Sequence, residues 1–205
     1  MSRPIAQGSS DTVWLASRSP RRRELLANAG FPLEVHPSHA DERRTTGDDP
    51  VTHALRLAQR KASTAPDDRI VVAADSVVHR GNAIYEIPVD RHEAERHLRT
   101  LSGDWHLVTT GVCVRLGSRE RSFTVTTRVR FRTLDEAEID RYLASGEADD
   151  KAGAYGIQGK AGGFVAEVIG SWTNVMGLPL EETLTTLREF GIKPWKTLIA
   201  QSNRD

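Results

Sequence analysis

Hydrophobic residues recur along this chain in two patterns, one typical of strands and one typical of helices. Short apolar runs and alternating apolar and polar residues predict strands, whereas apolar residues three and four positions apart predict helices. The predicted strands are 12–17, 69–75, 106–116, 123–131 and 163–170. The predicted helices begin near Pro20 and Pro50 and span 90–101, 135–145 and 179–191. Strands that alternate with helices predict an α/β fold.

The two alternating segments, 106–116 and 123–131, follow one another like the arms of a hairpin, so part of the sheet is expected to be antiparallel. The chain shows no internal repeat, low-complexity linker or sharp change of composition. One continuous domain over 13–192 is therefore predicted, with two lobes around a cleft. The ends, 1–12 and 193–205, are predicted to be flexible tails.

The amino-acid composition excludes several classes of protein. The 205 residues include 28 Lys and Arg and 28 Asp and Glu, and this balance argues against a general nucleic-acid or membrane binder. A single cysteine rules out an intrachain disulfide, and no apolar run reaches the roughly 18 residues of a membrane span. The first residues lack the apolar core of a signal peptide, so a cytoplasmic location is expected. The seven histidines show no metal-ligand spacing and are expected at the surface.

Three consecutive arginines, Arg21 to Arg23, stand where a helix is predicted to begin. Ser19 suits the N-cap and Pro20 suits the first helical position. A cation at this positive end of a helix is unfavourable by roughly 0.3–1 kcal/mol, whereas an anion there is favoured. With Ser17 and Ser19, the guanidinium groups would form a phosphate-binding cradle at the helix start. The alternative is a solvated face on which the arginines pair with nearby acids.

Asp75 ends the apolar run 69–75 and is followed by Ser76. This position is the carboxyl end of a predicted strand, where ligands gather in open α/β sheets. A carboxylate there could hold Mg²⁺ or act as a general base toward water. The alternative is an aspartate that only caps a turn.

Two loops add further candidates. Asp41 and Glu42 lie in a polar loop and are either metal-binding oxygens or surface charges. The segment 150–163 is rich in glycine, which would let its backbone approach a ligand closely or would only form a turn. Within that segment, Gln158 offers both an acceptor and donors with which to read the edge of a base.

Several of these stretches, in this order, resemble the Maf family of nucleoside triphosphate pyrophosphatases over residues 13–191. The resemblance rests on LASRSPRRRELL (15–26), ADE (40–42), LAQRKA (57–62), AADSVV (73–78), LSGDWHLVTTGV (101–112), DKAGAYGIQG (150–159) and GLPLEET (177–183). It implies hydrolysis between the α and β phosphates with a divalent cation, Mg²⁺ or Mn²⁺. It also implies an elongated single domain of the inosine triphosphatase kind, with a mixed sheet, flanking helices and a deep cleft, and it suggests a homodimer.

The resemblance also assigns roles residue by residue. Asp75 would activate water, Glu42 and Asp75 would hold the metal, and Lys61 would face the triphosphate as a third catalytic residue. The phosphate-binding positions would be Ser17, Ser19, Arg21 and Arg22. The residues that mark the branch acting on dTTP and UTP are Arg21, Ser76 and Gln158, with modified pyrimidine nucleotides as further candidate substrates.

One position departs from the family in a way that bears on activity. The family normally has a phosphate-contacting lysine before a proline, but in IYEIPVD (84–90) this position is Ile87. Loss of such a charged contact typically costs a few kcal/mol, or roughly a hundredfold in rate. Lys61, Arg80 or Lys160 could replace the missing cation. The alternative function is therefore a nucleotide-binding sensor or regulatory protein with weak catalysis.

Overall fold

A computed structural model of the chain describes residues 12–43, 45 and 47–194. The tails predicted at 1–12 and 193–205 lie almost wholly outside the described residues, so the predicted domain bounds stay a prediction. Within the described residues, no helix combines the length and the apolar character that crossing a bilayer requires.

The described residues contain one mixed seven-stranded sheet. Its strands are β1 (Val13–Leu15), β2 (Leu33–Val35), β3 (Ile70–Arg80), β4 (Ala83–Tyr85), β5 (Trp105–Leu116), β6 (Arg119–Phe131) and β7 (Val165–Ile169). The order across the sheet is β2-β1-β3-β5-β6-β7, and β4 pairs with β3 outside this path. The β1–β2 and β1–β3 pairs are parallel and the others are antiparallel. The predicted α/β class and the antiparallel β5–β6 hairpin are therefore confirmed.

Helices cover both faces of this sheet. They are α1 (Pro20–Asn28), α2 (Pro50–Ser63), α3 (Arg91–Leu101), α4 (Glu136–Leu143), α5 (Trp172–Met176) and α6 (Leu180–Glu189). Alternate residues of β3 point to opposite faces. Val71 and Ala73 pack in a small cluster with the alanines of α2, while Val72 and Ala74 belong to the main core with α1, α3, α4 and α6. The small side chains on the α2 face let that helix lie close to the sheet.

One edge of β3 contains a gap that no strand within the described residues fills. Along this edge β1 pairs with Ile70–Val72 and β4 pairs with Val78–Arg80, while β5 occupies the other edge. Residues 73–77 are therefore left without a strand partner on the β1 side, and we call this gap the edge notch. The turn that follows β1 lies beside the notch, because the Ala16 amide donates to the Val72 carbonyl over 2.9 Å.

The structure corrects three expectations. The strand predicted at 69–75 continues to Arg80, so Asp75 lies within β3 and not at its carboxyl end. Pairing with β5, which extends from Val71 to His79, keeps these polar residues extended. The short strands β2 and β4 and the short helix α5 have no periodic signal and were not predicted. The histidines are not all at the surface, since His53, His79 and His106 are buried.

Candidate active site

The turn between β1 and α1 has the predicted capping geometry. The Ser19 hydroxyl accepts a hydrogen bond from the Arg22 amide over 3.4 Å, as an N-cap does. The Ser19 amide in turn donates to the Ser17 hydroxyl over 3.2 Å. The first turn of α1 contains no acidic residue, so nothing in it compensates the positive helix end.

Neutral acceptors hold the two arginines of this turn. Arg22 is half-buried, and its guanidinium donates to the Ser17 hydroxyl over 3.1 Å, the Ser76 hydroxyl over 3.0 Å and the Gly177 carbonyl over 2.7 Å. Arg21 donates through Nε to the Met176 carbonyl over 3.2 Å. Among the described residues, no carboxylate lies within ion-pair distance of either guanidinium. The solvated, acid-paired face considered from the sequence is therefore absent in this part of the molecule.

The surroundings of these arginines affect the pKa of Arg22 and leave nitrogen atoms of Arg21 free of the described protein. Burial lowers the pKa of Arg22 below its usual value, while the negative charge of Asp75 opposes this effect. Arg21 uses only Nε for a contact with the described protein, so its two terminal nitrogens remain available to a ligand. An arginine braced at Nε by a carbonyl can present this terminal pair to two oxygens of one phosphate.

Lys61, Asp75 and Glu42 form a second cluster on the α2 face of the sheet. The Lys61 ammonium lies 2.7 Å from Asp75 Oδ1 and 3.2 Å from Glu42 Oε1. The side chains of Lys61 and Asp75 are 10% and 13% exposed, so this pair is well shielded, whereas that of Glu42 is 61% exposed. Asp41, the other candidate in that loop, instead binds Arg43, whose guanidinium lowers the pKa of Asp41 to about 2.

Gly111 explains how α2 reaches Asp75. In the β3–β5 ladder Gly111 lies directly opposite Asp75. A Cβ atom on Gly111 would overlap the carbonyl group of Ala54 in α2, so a side chain here would keep the helix away from the sheet. Lys61 lies two turns further along the same face of α2. The absence of a side chain at Gly111 thus places the Lys61 ammonium against the Asp75 carboxylate.

The edge notch brings the two clusters together. Asp75 and Ser76 are neighbours in β3 and point to opposite faces, Asp75 toward Lys61 and Ser76 toward Arg22. Among the described residues no strand covers 73–77 on that edge, so groups from both faces of the sheet border this gap. Ligands gather beyond the carboxyl ends of strands in α/β sheets, and here the relevant strand is β1 rather than β3. This one region contains most of the site residues predicted from the sequence. They are Ser17, Ser19, Arg21, Arg22, Glu42, Lys61, Asp75 and Ser76.

Comparison with known proteins decides the family. The family described as Maf-like protein matches residues 12–190. The chain belongs to the Maf-like protein family. A protein of Anaeromyxobacter dehalogenans named "dTTP/UTP pyrophosphatase" is 49% identical over 187 residues, which cover 89% of this chain and 96% of that protein. A protein with the same name from Chromobacterium violaceum is 46% identical over 90% of this chain and 98% of its own length. Another, from Vibrio cholerae, is 43% identical over 86% of this chain and 96% of its own length.

A solved structure is also similar to the Maf-like chain, but only distantly. It is the Ham1 protein of Staphylococcus aureus, with a TM-score of 0.39 and 14% identity over 58% of this chain and 71% of that chain. This likeness is too slight to bear on the site. The mixed sheet with flanking helices stands on the strand pairing described above.

The glycine-rich segment of the Maf-like chain packs against its own protein. A Cβ atom on Gly159 would overlap the Glu147 carboxylate, and one on Gly153 would lie 2.9 Å from a Val78 methyl group. At these two positions the glycines serve packing. The side chain of Gln158 is exposed, and no hydrogen bond among the described residues links it to the two clusters. Its role in base recognition therefore stays a prediction.

The segment nevertheless begins near the arginines. The pKa of Asp150 is lowered, chiefly by its hydrogen bond to Lys151, and the charge of Arg21 contributes. The charge of Arg21 therefore acts on Asp150 at the start of this segment, while its Nε donates to the Met176 carbonyl.

Ile87, at the position where the family resemblance predicts lysine, exposes an apolar side chain, 54% of it accessible. Of the three cations considered as replacements, Lys61 is the one found in the site. Arg80 instead pairs with Asp104, and Lys160 is exposed in the glycine-rich segment, where its amide binds Glu147. The sequence did not single out the carbonyl groups of Met176 and Gly177 as parts of the site.

Proposed function

We propose that this Maf-like chain hydrolyses nucleoside triphosphates to the monophosphate and pyrophosphate. Its proposed substrates are dTTP and UTP, as the names of its relatives suggest. Modified pyrimidine nucleotides are further candidates that these names do not mention. The observation that carries the proposal is the pair of guanidiniums at Arg21 and Arg22, without carboxylate partners, beside the edge notch that holds Asp75.

The electrostatic balance of the α1 start favours a polyphosphate ligand. A cation at a helix N-terminus is unfavourable by roughly 0.3–1 kcal/mol. A hydrogen bond between charged groups contributes about 1.5–3 kcal/mol, so one phosphate contact to Arg21 outweighs that penalty. The arginines are therefore unfavourable in the free protein and become favourable when a polyphosphate binds.

The catalytic roles are assigned from the hydrogen bonds that the two carboxylate oxygens of Asp75 already form. Asp75 binds Lys61 through Oδ1, and Oδ2 has no hydrogen bond among the described residues, so Oδ2 is the atom that takes a proton from the attacking water. Lys61 fixes the orientation of that carboxylate. Arg21, with the hydroxyls of Ser17 and Ser19, binds the phosphates so that water attacks the α-phosphorus and pyrophosphate leaves.

The same cluster suits a divalent cation. The carboxylates of Glu42 and Asp75 both approach one ammonium, that of Lys61. The described residues contain no group of three or more His, Cys, Asp or Glu that could hold a metal, so these two carboxylates are the proposed ligands. One or two carboxylates, completed by phosphate oxygens and water, is the usual setting of Mg²⁺. Mg²⁺ or Mn²⁺ bound there would neutralise negative charge on the phosphates.

Ile87 favours a second candidate, a nucleotide-binding sensor or regulatory protein with weak catalysis. Its exposed apolar side chain cannot neutralise the charge that develops on pyrophosphate as it leaves. The two candidates share the binding site and differ in turnover. Nucleotide binding without measurable release of pyrophosphate would support the sensor.

The test measures nucleotide binding and pyrophosphate release across a panel of nucleoside triphosphates, with Mg²⁺, with Mn²⁺ and with a chelator. We expect release from dTTP and UTP, and we expect the chelator to abolish it. Asp75→Asn should lower the turnover at least a hundredfold and leave binding within about threefold, because the amide cannot accept the proton from water. Asp140→Asn is the matched control, since Asp140 forms an exposed pair with Arg91. Equal turnover by Asp75→Asn and wild type would contradict the assignment.

A further inference from the structure

The orientation of both arginines depends on one distant segment. Arg21 and Arg22 each donate through Nε to a carbonyl 155 residues away in sequence, that of Met176 and that of Gly177 respectively. Met176 is the last residue of α5 and Gly177 is its C-cap. The position of this helix end therefore sets where the guanidiniums lie.

Helix α5 has five residues, which is too short to be stable by itself. Asn174 attaches it to the sheet. This residue is fully buried, and its amide donates to the Val108 carbonyl on β5 over 2.9 Å and to the Thr127 hydroxyl on β6 over 3.0 Å. The Thr127 hydroxyl also donates to the carbonyl of Ser171 over 3.2 Å and accepts from its amide over 3.1 Å. The hydroxyl of Thr127 is therefore the point at which the start of α5 and Asn174 are both fixed.

A second chain of hydrogen bonds runs from the same helix to Arg22. Thr110 on β5 donates to the Asn174 carbonyl over 3.3 Å, and its hydroxyl lies 2.8 Å from that of Ser76, which accepts from Arg22. The turn itself requires glycine, since Gly177 has φ 117°, a conformation that L side chains rarely adopt. Ser17 and Ser76 each accept one hydrogen bond from a terminal nitrogen of Arg22, so Arg22 braces the turn while one N–H on each of these nitrogens remains for a phosphate.

We infer that Thr127 and Asn174 are positioning residues for phosphate binding: by fixing α5 to the sheet, they hold the Met176 carbonyl where it directs the Arg21 guanidinium toward the polyphosphate. Neither residue touches the ligand. The inference rests on the proposed function, because it takes Arg21 as a phosphate-binding group. It adds that affinity for the nucleotide is controlled by a hydroxyl group on β6, away from the edge notch.

The test compares Thr127→Val with Thr109→Val. Both threonines are fully buried strand residues, but the Thr109 hydroxyl binds His79 and Thr126 and does not contact α5. The probe is UTP with a non-hydrolysable imido bridge between its α and β phosphates, titrated by calorimetry with Mg²⁺. We expect Thr127→Val to weaken binding at least tenfold, Thr109→Val to stay within twofold, and Thr127→Ser to restore wild-type affinity. If the valine variant does not fold, Thr127→Ala and Thr109→Ala take the places of the two valine variants.

A double-mutant cycle separates positioning from general loss of structure. In an Arg21→Ala background, Thr127→Val should change affinity less than threefold, because the group that it positions is gone. A tenfold effect that persists in that background would overturn the inference, as would unchanged affinity of Thr127→Val in the wild-type background. If Arg21→Ala itself binds the probe as wild type does, the phosphate-binding role of Arg21 in the proposed function fails. Weak binding by Arg21→Ala together with normal binding by Thr127→Val would defeat the inference alone.

Discussion

Replacement of Gly111 by alanine should displace α2 and separate the proposed base from its lysine. The new methyl group would overlap the Ala54 carbonyl and lie 2.6 Å from the Leu55 nitrogen, both in the backbone of α2. Backbone cannot rotate away as a side chain can, so the helix itself must move by about 1 Å to reach ordinary contact distance. Lys61 is carried on this helix, and Asp75 lies opposite Gly111 in the sheet.

Two magnitudes decide the sign of the effect on stability. Burial of one extra methyl group favours the folded state by about 0.8 kcal/mol. Overpacking of a close interface costs about 1–3 kcal/mol, so the strain is the larger effect and Gly111→Ala should lower the free energy of unfolding. A displacement of about 1 Å between catalytic groups can cost a hundredfold in rate, and we expect a loss of that order in kcat/KM for pyrophosphate release.

The assay combines urea unfolding with initial rates on dTTP and UTP. Gly163→Ala is the matched control, because a Cβ atom there meets nothing within 4 Å and its backbone does not require glycine. This control should keep both the stability and the rate of the wild type. Gly111→Ala with wild-type stability and rate would show that α2 tolerates the displacement and that close contact between Lys61 and Asp75 is not needed.

Two further predictions concern a buried histidine and the family's missing lysine. Burial lowers the pKa of His106 to about 4, and this ring is held against Tyr155. As the pH falls below 6.5, the ordinary pKa of histidine, the unfolded state takes up a proton first. The free energy of unfolding should therefore fall by about 2 kcal/mol between pH 7 and pH 5 and continue to fall until about pH 4. Urea unfolding at pH 7 and pH 5 should show this loss in wild type and in the exposed control His92→Gln, and a loss smaller by about 2 kcal/mol in His106→Gln. Ile87→Lys should raise the rate of pyrophosphate release more than tenfold if turnover is attenuated, whereas an unchanged rate would show that another cation already neutralises the leaving group.

Local signals in the sequence were sufficient to predict the helices and strands that lead into the site. Ser19 and Pro20 marked the start of α1, and the structure shows the hydroxyl of Ser19 capping the Arg22 amide. The period of apolar residues located α2, α3, α4 and α6 to within a few residues, because each helix buries one face. These features depend on residues close together in the chain. The same is true of the β5–β6 hairpin, which Gly117 allows to close with a φ of 58°.

The length of β3 and the burial of two histidines depend on partners far away in sequence. The polar residues Asp75 and Ser76 indicate the end of a strand in the sequence. In the structure, pairing with β5 keeps them extended. His79 and His106 are buried with hydrogen-bond partners that Thr109 and Tyr155 supply, although Nδ1 of His106 has no partner among the described residues. A polar side chain is buried when a partner satisfies it, and only the tertiary fold brings that partner near.

The sequence determined which side chains form the candidate site, and the tertiary structure decided how they work together. Arginine, serine, lysine and aspartate are visible in the sequence because their side chains identify them. The carbonyl groups of Met176 and Gly177 are not, because every residue has a carbonyl group and its direction is set by the backbone. The edge notch is likewise invisible in the sequence, since it arises where β1 and β4 leave residues 73–77 of β3 unpaired on one edge. In the proposed function, that gap is where an arginine on one face of the sheet and an aspartate on the other reach the same ligand.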